Sequence, residues 1–212
     1  MQQQQIQERN ASFALLNKAE TLCNTWHRIQ SKSLLLLQSI SNIIAQRYAV
    51  LDQMSTLEIH DVNPSRLMFK QTESMENSIA NLYSTLDLFE KVTDDWYRLE
   101  HEAIRHVSKS LNQPFLTKPQ PISTHSLIQV TAVTPAQTHD IISRLSYMYK
   151  NEFTHKVTLL SSLSSSVSTQ RQIQTLIDCW NLESNIDSSI ETEMVERIKL
   201  YKTVKKVLES VD

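Results

Sequence analysis

The hexapeptide HEAIRH, residues 101 to 106, sets two histidines around a glutamate, the make-up of a helical zinc site. Its spacing does not suit the task. Histidines at i and i+4 are turned by about 400° on a helix and nearly align, whereas at i and i+5, as for His101 and His106, the turn is about 500° and the rings point apart. The other histidines, at 27, 60, 125, 139 and 155, show no ligand spacing, so no metal centre is expected. Cys23 and His27 stand one helical turn apart, close enough in principle for a thiol and imidazole pair. Cys23, however, neighbours Leu22 and Trp26 on an apolar stripe, and the interior of a helix offers no backbone donors to an oxyanion. Packing is the expected role of the thiol. No catalytic residue, metal ligand or cofactor site is assigned, and the chain is read as a non-enzyme.

Composition supports that reading. The 212 residues contain no glycine, where average usage would give roughly fifteen. The phosphate-binding loop, the dinucleotide fingerprint and the nucleophile elbow all need it, and tight hairpin turns usually do. An all-α chain is expected, its helices ending on Asn, Asp or other residues in place of Gly. A formal charge of -2 and the lack of a long basic run argue against direct nucleic-acid binding. Two cysteines outside any CxxC pair suit a reducing compartment. MQQQQIQERN lacks the pattern of a signal peptide, and the longest apolar run, residues 34 to 37, is too short for a membrane span. An intracellular, soluble protein is expected.

The elements follow from periodicity. Leu15, Ala19, Leu22, Trp26, Ile29, Ser33, Leu36, Ile40, Ile43, Arg47, Val50, Met54 and Leu57 alternate steps of four and three, a heptad seam over a helix of about residues 8–59. Ser33 and Arg47 are its polar interruptions. Asn63-Pro64 starts a second helix, 64–111, whose seam runs through Met68, Thr72, Met75, Ile79, Leu82, Leu86 and Phe89. It then slides by one residue to Val92, Trp96, Leu99, Ala103 and Val107. Together they predict a long antiparallel hairpin over 1–111. Residues 112–134, with three of the five prolines, read as a linker. From 135 to 212 shorter helices pack on or extend the hairpin, completing an elongated antiparallel bundle with coiled-coil-like seams. Thr134-Pro135 opens the first of them, which carries Ile142, Leu145, Tyr149, Phe153, Val157, Leu160 and Leu163 on one face. A turn is expected near Ser165, and Ser188 with Glu191 forms a capping box for the last helix. Thr134-Pro135 and Thr169-Gln170 fit the minimal dipeptides of proline-directed and Ser/Thr-Gln kinases, which makes Thr134 and Thr169 candidate phosphorylation sites.

The segments NTWHRIQSKSLLLLQSISNI, VTPAQTHDIISRLSYMYKNEFTHKVTLLSSL and TLIDCWNLESNIDSSIETEMVE, in this order, resemble the cyclin-dependent kinase 2 interacting protein family. Trp26-His27, the Met148-Tyr149-Lys150 and Glu152 cluster, and Trp180 carry the resemblance. It implies a small helical adaptor, nuclear and also cytoplasmic, associated with cell-cycle kinases at replication origins and with the ATR-interacting checkpoint protein. It also implies an AAA ATPase complex that remodels replication proteins and matures the large ribosomal subunit, with a second small helical subunit as partner. The family's binding residues are not carried over. From this sequence itself, Trp26, His27, Trp96, Tyr147, Met148, Tyr149, Phe153 and Trp180 are the expected partner-facing side chains. The alternative reading of the same heptads is a cytoplasmic coiled-coil tether or motor-linked subunit.

Overall fold

The computed structural model describes residues 2–60, 63–111, 132–166 and 169–209, and within them the side chains of residues 2–6, 55, 58, 162–166 and 208–209 are not described. The described residues form helices and no strand: α1 (Gln2–Asp52), α2 (Met54–Ile59), α3 (Pro64–Leu111), α4 (Pro135–Ser166), α5 (Gln170–Leu182) and α6 (Ser188–Glu209). The all-α expectation holds. The first long helix stops at Asp52, and a turn at Gln53 separates off the short α2. Of the linker at 112–134, all but residues 132–134 lies outside the described residues.

Packing divides the chain differently from a hairpin followed by a C-terminal set. One compact unit combines Met1–Thr25, Val92–Lys150 and Ile186–Asp212, and a second combines Trp26–Lys91 with Asn151–Asn185. Each unit draws a segment from α1, α3 and α4; the first adds α6 and the second adds α5. In the first unit, Glu8 meets Ser110, Ser12 meets His106 and Lys18 meets Glu102. Rising numbers on α1 against falling numbers on α3 make the pairing antiparallel. Trp26 against Phe89 and Ser39 against Ser78 show the same sense in the second unit.

α1 buries more than a two-row seam. Beside the expected rows, Leu16, Cys23, Gln30, Leu37 and Ile44, each seven residues from the last, are also buried. Three adjacent rows are what a helix needs when it faces neighbours on both flanks of a bundle. α1 is long and apolar enough, by length and composition, to pass for a membrane span. Part of that apolar character goes into these buried rows, while Leu35 is exposed, and Gln30 and Ser33 at mid-helix are buried and hydrogen-bonded.

On α3 the slide expected near Phe89 does not occur. The row Gln71, Ser78, Thr85, Val92, Leu99 is buried throughout, and its first three members are polar. Thr85 satisfies its hydroxyl on the Leu82 carbonyl and Ser78 meets Ser39. α4 repeats the pattern: Glu152 and Lys156 are fully buried, while Val157 is exposed and Phe153 half-buried. Reading apolar residues alone displaces both seams by one position.

Side chains cap the helix starts. The Asn63 side chain accepts from the Arg66 amide ahead of Pro64, and Thr134 forms a reciprocal pair with Gln137. Thr169 caps α5 with Gln172 in the same way. The last helix is capped one residue earlier than expected: Asp187 Oδ1 accepts from the Ser189 amide, whose bonds hold the Asp187 carboxyl below its ordinary range. The expected Ser188–Glu191 box is thereby corrected, because Glu191 is engaged by Tyr149 instead. Both candidate phosphorylation sites, Thr134 and Thr169, are exposed cap residues. Thr169→Ala removes one side of the α5 cap and should cost about 1 kcal/mol. In a chain of this size that lowers the melting temperature by about 2–4 °C, measurable by circular dichroism.

Candidate partner interface

The most unusual group in the second unit is the Lys156 ammonium, fully buried. It donates to Gln30 Oε1 at 2.8 Å and to the Trp180 carbonyl at 3.2 Å. Glu152 Oε1 faces it at 3.3 Å and Glu183 Oε1 at 3.6 Å. The Trp180 ring lies 4.8 Å from the nitrogen and the Phe89 ring 5.6 Å, the arrangement in which aromatic faces attract a cation. Because Trp180 sits in the last turn of α5, its carbonyl is one of those with no partner inside the helix. Lys156 and Gln30 Nε2 supply the missing donors, and a cation is favoured at this end by the helix dipole. Burial lowers the affinity of Lys156 for its proton, and the two carboxylates oppose that trend.

The carboxylates are themselves held. Glu183 accepts from Trp26 Nε1 at 2.8 Å, and Glu152 Oε2 accepts from the backbone and side-chain nitrogens of Asn185. Glu183 is in the left-handed region, φ 44° and ψ 53°, the one such non-glycine residue among those described. The strain falls on the residue that reaches both Trp26 and Lys156. Trp180 Nε1 donates to Ser33, so the polar break in the α1 seam is filled from within the chain.

In the first unit, Tyr149 stacks on Trp96, with centroids 5.3 Å apart, and donates to Glu191 at 2.6 Å. It also hydrogen-bonds with the Cys23 thiol, whose burial pushes its pKa up to about 12. At neutral pH that sulfur is a thiol, not a thiolate, and has no nucleophilic character. Among the described residues no group of three metal-ligating side chains converges.

These contacts sort the expected interface residues. Trp26, Trp96, Met148, Tyr149 and Trp180 are buried among the chain's own helices, where they present no surface to a partner. His27 and Tyr147 are exposed and Phe153 is half-buried. Tyr97, not singled out from the sequence, is exposed and packs edge-on against His101. Its signal was its place one residue beyond the core Trp96, on the outer flank of α3.

The model of the C1orf109-like ribosome biogenesis protein family matches residues 9–201. The chain belongs to that family. The match corrects the resemblance to the cyclin-dependent kinase 2 interacting protein family: of the residues that carried it, Trp26, Met148, Tyr149, Glu152 and Trp180 are buried in the core, while His27 and Lys150 are exposed. No curated protein matches the chain. Membership in a ribosome biogenesis family supports a role in ribosome maturation.

Removing the ammonium tests the Lys156 network. Lys156→Ala leaves Glu152 and Glu183 facing a cavity and should destabilise the fold by about 3–5 kcal/mol. Lys156→Met with Glu152→Gln and Glu183→Gln keeps the volume and removes all three charges, so it should recover most of that loss in urea unfolding. Equal losses in the two variants would show that packing, not uncompensated charge, sets the cost.

Proposed function

We propose that the chain is a non-catalytic scaffold in ribosome biogenesis, acting in the nucleus by holding protein partners on helical surfaces. The observation that carries this reading lies in the first unit. There α3 and α4 run antiparallel, fixed by the Ser143 hydroxyl donating to Glu100 and by the Trp96–Tyr149 stack. That register sets Tyr97 and Tyr147 at the same level of neighbouring helices, and they are 62% and 70% exposed. Two large aromatic side chains left outside a well-packed core suit a hot spot, because tyrosine contributes much contact area at little entropic cost. The thiol of Cys23, buried and with its pKa pushed up to about 12, suits packing better than nucleophilic chemistry. Cell-cycle, checkpoint and replication roles rested on the resemblance that the family match replaces, and no residue described here supports a tether or motor role.

The test is purification of the tagged chain from native extract, wild type against Tyr97→Ala with Tyr147→Ala. Surface truncations should leave thermal stability within about 0.5 kcal/mol. Loss of two hot-spot residues should reduce recovery of ribosome-assembly proteins by about tenfold or more. Undiminished recovery would remove these tyrosines from the interface, and a wild-type sample without ribosome-assembly proteins would overturn the scaffold reading itself.

A further inference from the structure

A groove of about 330 Å³ runs between α1 and α3 in the first unit. It exists because α1 presents Ala11 and Ala14 where longer side chains would fill the space, with Leu15 as an apolar base. At one level the Lys18–Glu102 ion pair, 2.6 Å, crosses it. Below that pair α3 contributes Arg105 and Lys109, both exposed, and neither makes an ion pair with a described carboxylate. His106 lies between them, its imidazole tied to the Ser12 hydroxyl and its proton affinity lowered by burial. The ring therefore adds apolar surface to the wall at neutral pH. Glu8 approaches the same end, where it is engaged by the Ser110 hydroxyl.

We infer that this groove docks a helix of another protein, one that inserts a small aliphatic side chain between α1 and α3 and sets carboxylates one turn to either side. The inference rests on the scaffold reading above and adds to it a second surface and the chemistry of its occupant. Charge complementarity selects that occupant: Arg105 and Lys109 are uncompensated, and the exposed Lys18–Glu102 pair is weak enough to exchange partners with an incoming carboxylate. Carboxylates three or four residues from an apolar knob would meet cations spaced four apart on α3, as Arg105 and Lys109 are. A nucleic-acid backbone fits less well, because Ala11, Ala14 and Leu15 give the α1 wall an apolar face, Glu102 stands among the cations, and a chain of net charge -2 offers no extended cationic track.

A benzophenone side chain introduced at Ala14, which is exposed and borders the groove, tests this by photo-crosslinking the full chain in native extract. The crosslinked material is sequenced, with a second probe at Tyr147 as control. The expected product is a protein segment carrying carboxylates within one turn of the attachment point. Arg105→Glu with Lys109→Glu should lower its yield by about tenfold or more, and exchanging the partner's carboxylates for lysine should restore it. A crosslink to nucleic acid, to a second copy of this chain, or to any segment whose yield ignores the charge reversal overturns the inference, as does no crosslink at Ala14. A product that persists at Tyr147 in those cases leaves the scaffold reading standing while the groove is discarded.

Discussion

The buried ammonium of Lys156 is the constraint on which the second unit depends. A charge taken out of water is tolerated only when its surroundings repay the lost hydration. Four of the unit's helices contribute to that repayment. α1 supplies Gln30, α3 the Phe89 ring, α4 the Glu152 carboxylate, and α5 with its following turn the Trp180 carbonyl and Glu183. Such a network is weak ground for high stability, since apolar replacements of similar volume often do as well. What it imposes is geometry: shifting α4 by one residue would part Lys156 from Gln30, the Trp180 carbonyl and Glu183, and Glu152 from Asn185. Helix register is thereby fixed in a core whose aliphatic residues alone would tolerate several alignments.

That role explains how much of the fold could be read from the sequence. The helical class, the start of α3 at Pro64, the start of α4 at Pro135 and the break after Ser166 are local matters of glycine absence, proline and capping chemistry. Seam assignment is not local. Periodicity counts apolar residues, and on α4 it selects Phe153 and Val157 over Glu152 and Lys156 one position earlier. Burial follows the charged pair because their partners come from distant segments, Gln30 and Glu183 among them. The same reasoning covers Gln71, Ser78 and Thr85 on α3. Two of these three find partners inside the helix or on α1, contacts that no window of sequence contains.

The interface was less legible for a related reason. Tryptophan and tyrosine are enriched both in cores and at hot spots, so residue type alone cannot assign them. Trp26, Trp96, Tyr149 and Trp180 are large because four helices leave large spaces to fill, and three of them also bring a donor to an acceptor on another segment. Of these, Trp26, Tyr149 and Trp180 also carried the family resemblance that the match over residues 9–201 corrected. A pattern built of core residues reports how helices pack. It does not report what the outside of the bundle binds.

Lack of glycine ties these observations together. A chain that must end helices without it can use proline, side-chain caps or a left-handed residue at a cost in strain. Thr134, Thr169, Asn63 and Asp187 are side-chain caps at the starts of helices, where glycine is not the leading residue. Glu183 is the left-handed residue, and a Glu in that conformation is stable only if the rest of the structure compensates. Its carboxylate does so by receiving the Trp26 indole and standing beside Lys156. Glycine at this position would relieve the backbone and abolish both contacts. The left-handed turn is therefore kept by a side chain because the core, more than the turn, requires what that side chain brings.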